Sequence, residues 1–174
     1  MALSVTRRRL LKLAAGAGGA VVAGGAGLFA LRGSAPAVKD LRVLTAHEYR
    51  TMASLASALL PRGGPFALGA EDVDLGRRFD GYLADEPAWA QTDAKAGLLL
   101  LEMGPVLFDR RLSTFSELDA AERLAHFGTW GTSGLALRRQ VAVGFRKFLS
   151  LVFYDQPDVW PALRYEGPLI KESP

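Results

Sequence analysis

The chain has 174 residues, 49% of them hydrophobic, with 21 Lys plus Arg, 18 Asp plus Glu and no cysteine. The lack of thiols excludes a cysteine nucleophile, thiolate-held iron–sulfur clusters and haem attached through Cys-x-x-Cys-His. Five basic and no acidic residues precede Val38, so the rest carries 16 basic and 18 acidic groups, without the basic, aromatic-interleaved stripe that nucleic acid requires.

Thr6-Arg7-Arg8-Arg9-Leu10-Leu11-Lys12 opens the chain. A hydroxyl residue, paired arginines, two leucines and a lysine is the order of a twin-arginine export signal. Two fork-shaped, permanently charged guanidiniums are readable as a pair by an acidic receptor. A charge-free run from Leu13 to Leu31 follows, built largely of Ala and Gly. A membrane span of about 20 residues normally holds more Leu and Phe, each favouring insertion by roughly 0.3–0.6 kcal/mol. Weak hydrophobicity therefore fits folded export, and Ala35-Pro36-Ala37 offers small-x-small cleavage before Val38. The expected division is a signal peptide over 1–37 and one helical domain over 38–174. An uncleaved signal acting as a membrane anchor is the alternative.

The rest reads as helix nearly throughout. Thr45-Ala46-His47-Glu48 has capping-box spacing; Tyr49, Met52, Ala53, Ala56, Leu59 and Leu60 then recur every three or four residues until Pro61. A Gly/Pro-rich loop, Arg62 to Ala70, leads to a second helix on Val73, Phe79, Tyr82 and Leu83, ending near Glu86-Pro87. A third is predicted over Gln91 to Met103, with Gly104-Pro105 either ending it or kinking it before one more turn over Val106-Leu107-Phe108. Ser116-Glu117-Leu118-Asp119 is predicted to start a fourth, carrying Leu118, Leu124, Phe127 and Trp130. A fifth covers Leu135 to Phe153, with Val141, Phe145, Phe148, Leu149, Val152 and Phe153 inward. The tail from Tyr154 to Pro168 is expected to be extended or turned. No period-2 alternation or Asn-Gly hairpin signal occurs. The fold class is all-α: a single bundle-like domain of about five helices with an extended aromatic tail.

Chemistry is sparse. His47 and His126 are the only histidines, and bis-histidine ligation of b-type haem would use both. The plainer reading makes His47 a solvated first-turn residue and His126 part of the core. Glu122 stands four residues before His126, whereas the carboxylate-bridged metal motif of helical bundles needs three. Carboxylates such as Glu71, Asp72 and Asp74 sit where they favour the positive end of a helix. No catalytic residue and no metal ligand is assigned. The tail stands out: Pro157, Trp160, Arg164, Tyr165 and Pro168 bring together residue types that concentrate in interface hot spots. The alternative is that Trp160 and Tyr165 fold back to close the bundle.

Three features together resemble the gluconate 2-dehydrogenase subunit 3 family. They are the Thr6–Lys12 signal, a first helix ending Ala58-Leu59-Leu60-Pro61, and Phe153-Tyr154 followed by Pro157, Trp160, Tyr165 and Gly167-Pro168. The loop Arg62 to Ala70 departs from that pattern in being shorter and richer in Gly and Pro. The resemblance implies a non-catalytic small subunit holding no cofactor itself. Its large partner would bind FAD and be matured and exported with it by the twin-arginine translocase, and a cytochrome c subunit would accept the electrons. It places the complex in the periplasm, membrane-associated through its other subunits or through an uncleaved signal. The rival readings are a self-sufficient exported haem protein and a membrane-anchored structural protein.

Overall fold

Thr45 starts the first helix as its sequence dictates. Its hydroxyl accepts from the Glu48 N–H at 3.3 Å, and the Glu48 carboxylate accepts from the Thr45 N–H at 2.7 Å, closing the reciprocal cap. This is seen in a computed structural model describing residues 34–64 and 66–167. Helix α1 spans Ala46–Leu59, α2 Leu75–Ala84, α3 Ala88–Asp109, α4 Ala120–Gly131, α5 Ala136–Tyr154 and the single-turn α6 Trp160–Leu163. Two 3-10 turns, Phe115–Glu117 and Pro157–Val159, link them. No strand occurs among the described residues, and the domain is all-α. No described helix is long and apolar enough to cross a membrane.

Helix α1 is the hub: it packs on α2, α3, α4 and the Phe115–Glu117 turn, while α5 closes the bundle against α2 and α4. Met52, Leu55 and Ala56 from α1 meet Leu98 and Leu101 from α3, Phe127 and Trp130 from α4, and Phe145, Leu149 and Phe153 from α5 in one core. Edge-on ring contacts tie α2 to α5, with Phe79 at 4.7 Å and Tyr82 at 5.1 Å from Phe148. Full burial of a ring such as Phe79, 4% exposed, contributes about 1.5–3 kcal/mol.

Several boundaries differ from expectation. Helix α3 runs unbroken through Gly104-Pro105 to Asp109, although an interior proline costs about 3 kcal/mol. Met103, Gly104 and Pro105 are all buried, so packing offsets the lost hydrogen bond. Gly104 is needed there: a Cβ would lie 2.6 Å from His126 Nε2 and 2.9 Å from Trp130 Cζ2. The helix ends at Arg110 in left-handed conformation, and the Pro105 carbonyl accepts from the N–H groups of Arg110 and Arg111.

The fourth helix starts later than Ser116. Leu118 adopts extended backbone, and Asp119 caps α4 through a second reciprocal box with Glu122. Leu124 faces outward, half-exposed. Of the two forms expected for the tail, it takes the turned one: Pro157–Val159 and Trp160–Leu163 are short helical turns, and only the segment after them is irregular. Pro157 and Pro161 occupy first-turn positions, where a missing N–H costs nothing.

Two buried carboxylates fasten the elements. Asp80 of α2 is 1% exposed and accepts from three successive N–H groups, Arg42 at 2.6 Å, Val43 at 2.9 Å and Leu44 at 2.7 Å. Burial pushes its pKa up, but the three amides and the Arg42 charge outweigh this and leave it below the usual carboxylate value. Glu102 of α3 is 2% exposed. It accepts from the Thr51 hydroxyl of α1 at 2.9 Å, the Ser116 hydroxyl at 2.6 Å and the Ser116 N–H at 3.2 Å.

Asp80→Ala strands three amides, and a loss of about 2–4 kcal/mol is expected in denaturant unfolding. A depressed folded pKa means the carboxylate stabilises above its unfolded value of about 4. The gap between wild type and variant should therefore narrow as pH falls through the lower, folded value. A gap unchanged down to pH 2 would contradict this assignment.

Candidate functional site

Three groups of residues were candidates on sequence grounds: the export and cleavage residues, the two histidines and the aromatic tail. Thr6, Arg7, Arg8, Leu10, Leu11 and Lys12 lie outside the described residues, as does Pro168. Ala35, Ala37 and Val38 lie in irregular backbone ahead of α1, with Ala37 exposed.

The histidines are not brought together as a ligand pair among the described contacts. His47 occupies the first turn of α1, half-buried. His126 is 5% exposed, and both its ring nitrogens are engaged. Trp130 Nε1–H, which can only donate, gives its proton to His126 Nε2 at 3.1 Å. Nδ1 therefore carries the ring hydrogen and donates to Asp109 Oδ2 at 2.6 Å. This fixes a neutral tautomer and leaves no lone pair facing a ligand. Burial lowers the His126 pKa, and the Arg138 and Arg111 charges add to that, overcoming the opposing pull of Asp109. Glu122 is spent on the α4 cap and on Arg111, 2.5 Å away. No group of three His, Asp or Glu suited to a metal occurs among the described residues.

The tail folds back and still presents apolar surface. Trp160 Nε1–H donates to the Tyr154 carbonyl at 3.0 Å, and the Tyr165 ring stands edge-on to Trp160 at 5.3 Å. Gly167, at φ +103, runs so close that a Cβ would lie 3.1 Å from the Trp160 ring. Arg164 is exposed and ends α6 in left-handed conformation; Pro157 is exposed too. Trp160 is thus the support, while Tyr165 and Leu163 remain nearly half-exposed.

Sequence reasoning missed what lies beneath this tail. Phe66, from the Gly/Pro loop, packs edge-on against Phe153 at 5.5 Å and Tyr154 at 5.8 Å. That loop is shaped by Asp72, which accepts from the Arg62 guanidinium and from the Gly69 N–H at 2.8 Å. A Cβ on Gly69 would meet Arg62 N at 2.5 Å. The loop, the end of α5 and the tail therefore form one aromatic end of the bundle. The signal was present in Phe66 and Leu68, large apolar residues inside a Gly/Pro stretch. Beside this end, Arg146, Lys147, Ser150, Leu151, Tyr154 and Asp155 line an open groove of about 700 Å³.

Comparison with family models, with curated proteins and with solved structures finds no match to this chain.

Two outcomes follow from this geometry. Trp160→Ala should lower stability by about 1–3 kcal/mol, as a partly buried aromatic anchor does, and speed tryptic cleavage after Arg164; Tyr165→Ala should change stability by less than about 1 kcal/mol. Equal thermal shifts for both would refute the support-and-surface division. Because His126 is held neutral, stability should decline as pH falls below about 6.5, its unfolded value, and through the lower folded one. Chemical denaturation between pH 7 and 5 checks this, with His126→Gln expected to flatten the slope.

Proposed function

We propose that this chain is the non-catalytic small subunit of an exported, flavin-dependent dehydrogenase complex, supporting maturation and folded export of its catalytic partner. The observation that carries this reading is the aromatic end of the bundle. Trp160 holds a tail whose Tyr165 and Leu163 stay exposed. An exposed tyrosine and leucine held in place by a buttressing tryptophan have the residue chemistry and rigidity of an interface contact. The conspicuous buried polar groups, Asp80, Glu102 and His126, are all occupied in joining elements, which suits an escort better than a catalyst.

The export signal completes the reading. Arg7 and Arg8 would take chain and partner together through the twin-arginine translocase into the periplasm. FAD would reside in the large subunit, with a cytochrome c subunit as the onward electron acceptor. Pro157, Arg164, Tyr165 and Pro168 are proposed as partner contacts, organised around Trp160.

The test is purification of the C-terminally tagged chain from periplasmic and membrane fractions, with mass spectrometry and an absorbance spectrum. A stoichiometric large partner with flavin absorbance is expected. A colourless protein purified alone would overturn the reading, and a Soret band carried by the chain itself would replace it with the haem alternative. Replacing Arg7 and Arg8 together by Lys should retain chain and partner activity in the cytoplasm; full periplasmic activity in that variant would remove the export role. Tyr165→Ala should weaken partner binding about thirtyfold if it is a true hot spot of about 2 kcal/mol.

A further inference from the structure

Helix α5 is the electrostatic anomaly of the domain. Over Ala136–Tyr154 it carries Arg138, Arg139, Arg146 and Lys147 and no acidic residue. The rest of the sequence after Val38 has 12 basic and 18 acidic residues, so positive charge is gathered on one element of an otherwise acidic domain. Arg138 turns inward, its guanidinium 4.5 Å from the Phe108 ring and 5.1 Å from Trp130. Arg139, Arg146 and Lys147 are exposed and none pairs with a carboxylate among the described residues, although Arg139 donates to the Ser133 carbonyl and the Arg146 guanidinium stands 5.4 Å from the Phe127 ring.

The same outer face is apolar. Val143, Leu151 and Tyr154 are 49%, 64% and 43% exposed. At about 100° per residue they project within roughly 40° of Lys147. Phe66 packs against one edge of Tyr154, while the middle of the face is open: a Cβ on Gly144, on the same side, would meet no atom within 4 Å.

We propose that the outer face of α5 docks on an anionic phospholipid surface, with Arg139, Arg146 and Lys147 at the headgroups and Val143, Leu151 and Tyr154 toward the acyl boundary. The charge calls for an anionic occupant and rules against a second copy of the same face, which would oppose cations to cations. Lys147 then separates lipid from protein. It lies at the middle of the face, where protein interfaces are depleted of lysine, whereas on a bilayer its stem lies along apolar neighbours while the ammonium stays at the headgroups. The groove beside it sets Arg146, Lys147 and Ser150, with the single carboxylate Asp155, next to Leu151 and Tyr154, so donors outnumber acceptors beside its apolar wall. The inference stands apart from the proposed function, since it needs neither flavin nor partner.

The lack of cysteine gives a clean test in the full chain. An environment-sensitive dye is attached in one variant at Gln140→Cys, on the α5 outer face, and in another at Asp93→Cys, on exposed α3. Each is mixed with phosphatidylcholine vesicles with and without phosphatidylglycerol. The N-terminal apolar run can hold the full chain on either vesicle, so the dye environment decides, not sedimentation. The expected result is a blue shift at position 140 on phosphatidylglycerol vesicles alone and none at position 93. At about fivefold per basic residue near an anionic surface, replacing Arg139, Arg146 and Lys147 by Ser should raise the lipid concentration for half-maximal shift about 100-fold. Lys147→Ser alone should raise it about fivefold, which keeps the test decisive if the triple variant fails to fold. A dye at position 140 that stays aqueous on vesicle-bound protein overturns the proposal. So does a shift equally strong on neutral vesicles, or one produced only by a co-purifying protein.

Discussion

A carboxylate with almost no exposure and no ion-pair partner among the described residues holds the centre of this bundle. Glu102 reaches from α3 to the Thr51 hydroxyl on α1 and to both the hydroxyl and N–H of Ser116. Removing a carboxylate from water is costly unless its lone pairs are filled, so each donor must stand where it does. Thr51 fixes the rotation of α1, whose apolar face must then meet α3. Ser116 fixes the turn before α4, and Arg123 locks that turn by donating to the carbonyls of Phe115 and Ser116 at 3.3 Å and 2.7 Å. The hydrophobic core supplies most of the driving force, but it is non-directional. The Glu102 node selects one register among the ways these helices could pack.

That logic explains which parts of the fold were legible in the sequence. Helices α1 and α5 were legible because their signals are local: a capping box at Thr45 and a sustained apolar stripe through Phe145, Leu149 and Phe153. The end of α3 was not, because Pro105 is a strong local breaker and its burial against neighbouring helices is a tertiary fact. The start of α4 was ambiguous because Thr114–Glu117 and Asp119–Glu122 carry the same spacing within nine residues. Only the demand that Ser116 reach Glu102 separates a turn from a helix start.

The candidate site was legible in composition and hidden in geometry. The aromatic tail was conspicuous, yet whether Trp160 faced inward or outward depended on its N–H finding the Tyr154 carbonyl. The loop contributing Phe66 lies far from the tail in sequence, and no periodicity links them. His126 gave no local hint of its two partners either, since Asp109 belongs to another helix and Trp130 reads simply as core. Loop, helix end and tail converge because α1 and α5 both finish at this end, which makes it a composite surface. Such a surface exists only in the folded chain, and the proposed folded export is consistent with a partner that reads it.

The clamp made by Asp80 carries a consequence for the N-terminal side of the domain. Its three amide partners, Arg42 to Leu44, belong to the lead-in that α2 grips, a hold that begins at Lys39, whose carbonyl accepts from Arg77 at 3.0 Å. The seam between whatever precedes the domain and the domain itself therefore has a hard edge. A peptidase acting at Val38 leaves every gripped atom in place, whereas one acting a few residues later would strip the carboxylate of its ligands and leave a buried charge facing nothing. Proteolytic trimming in either direction is thus unequal: generous upstream of Lys39, and intolerant from Arg42 onward.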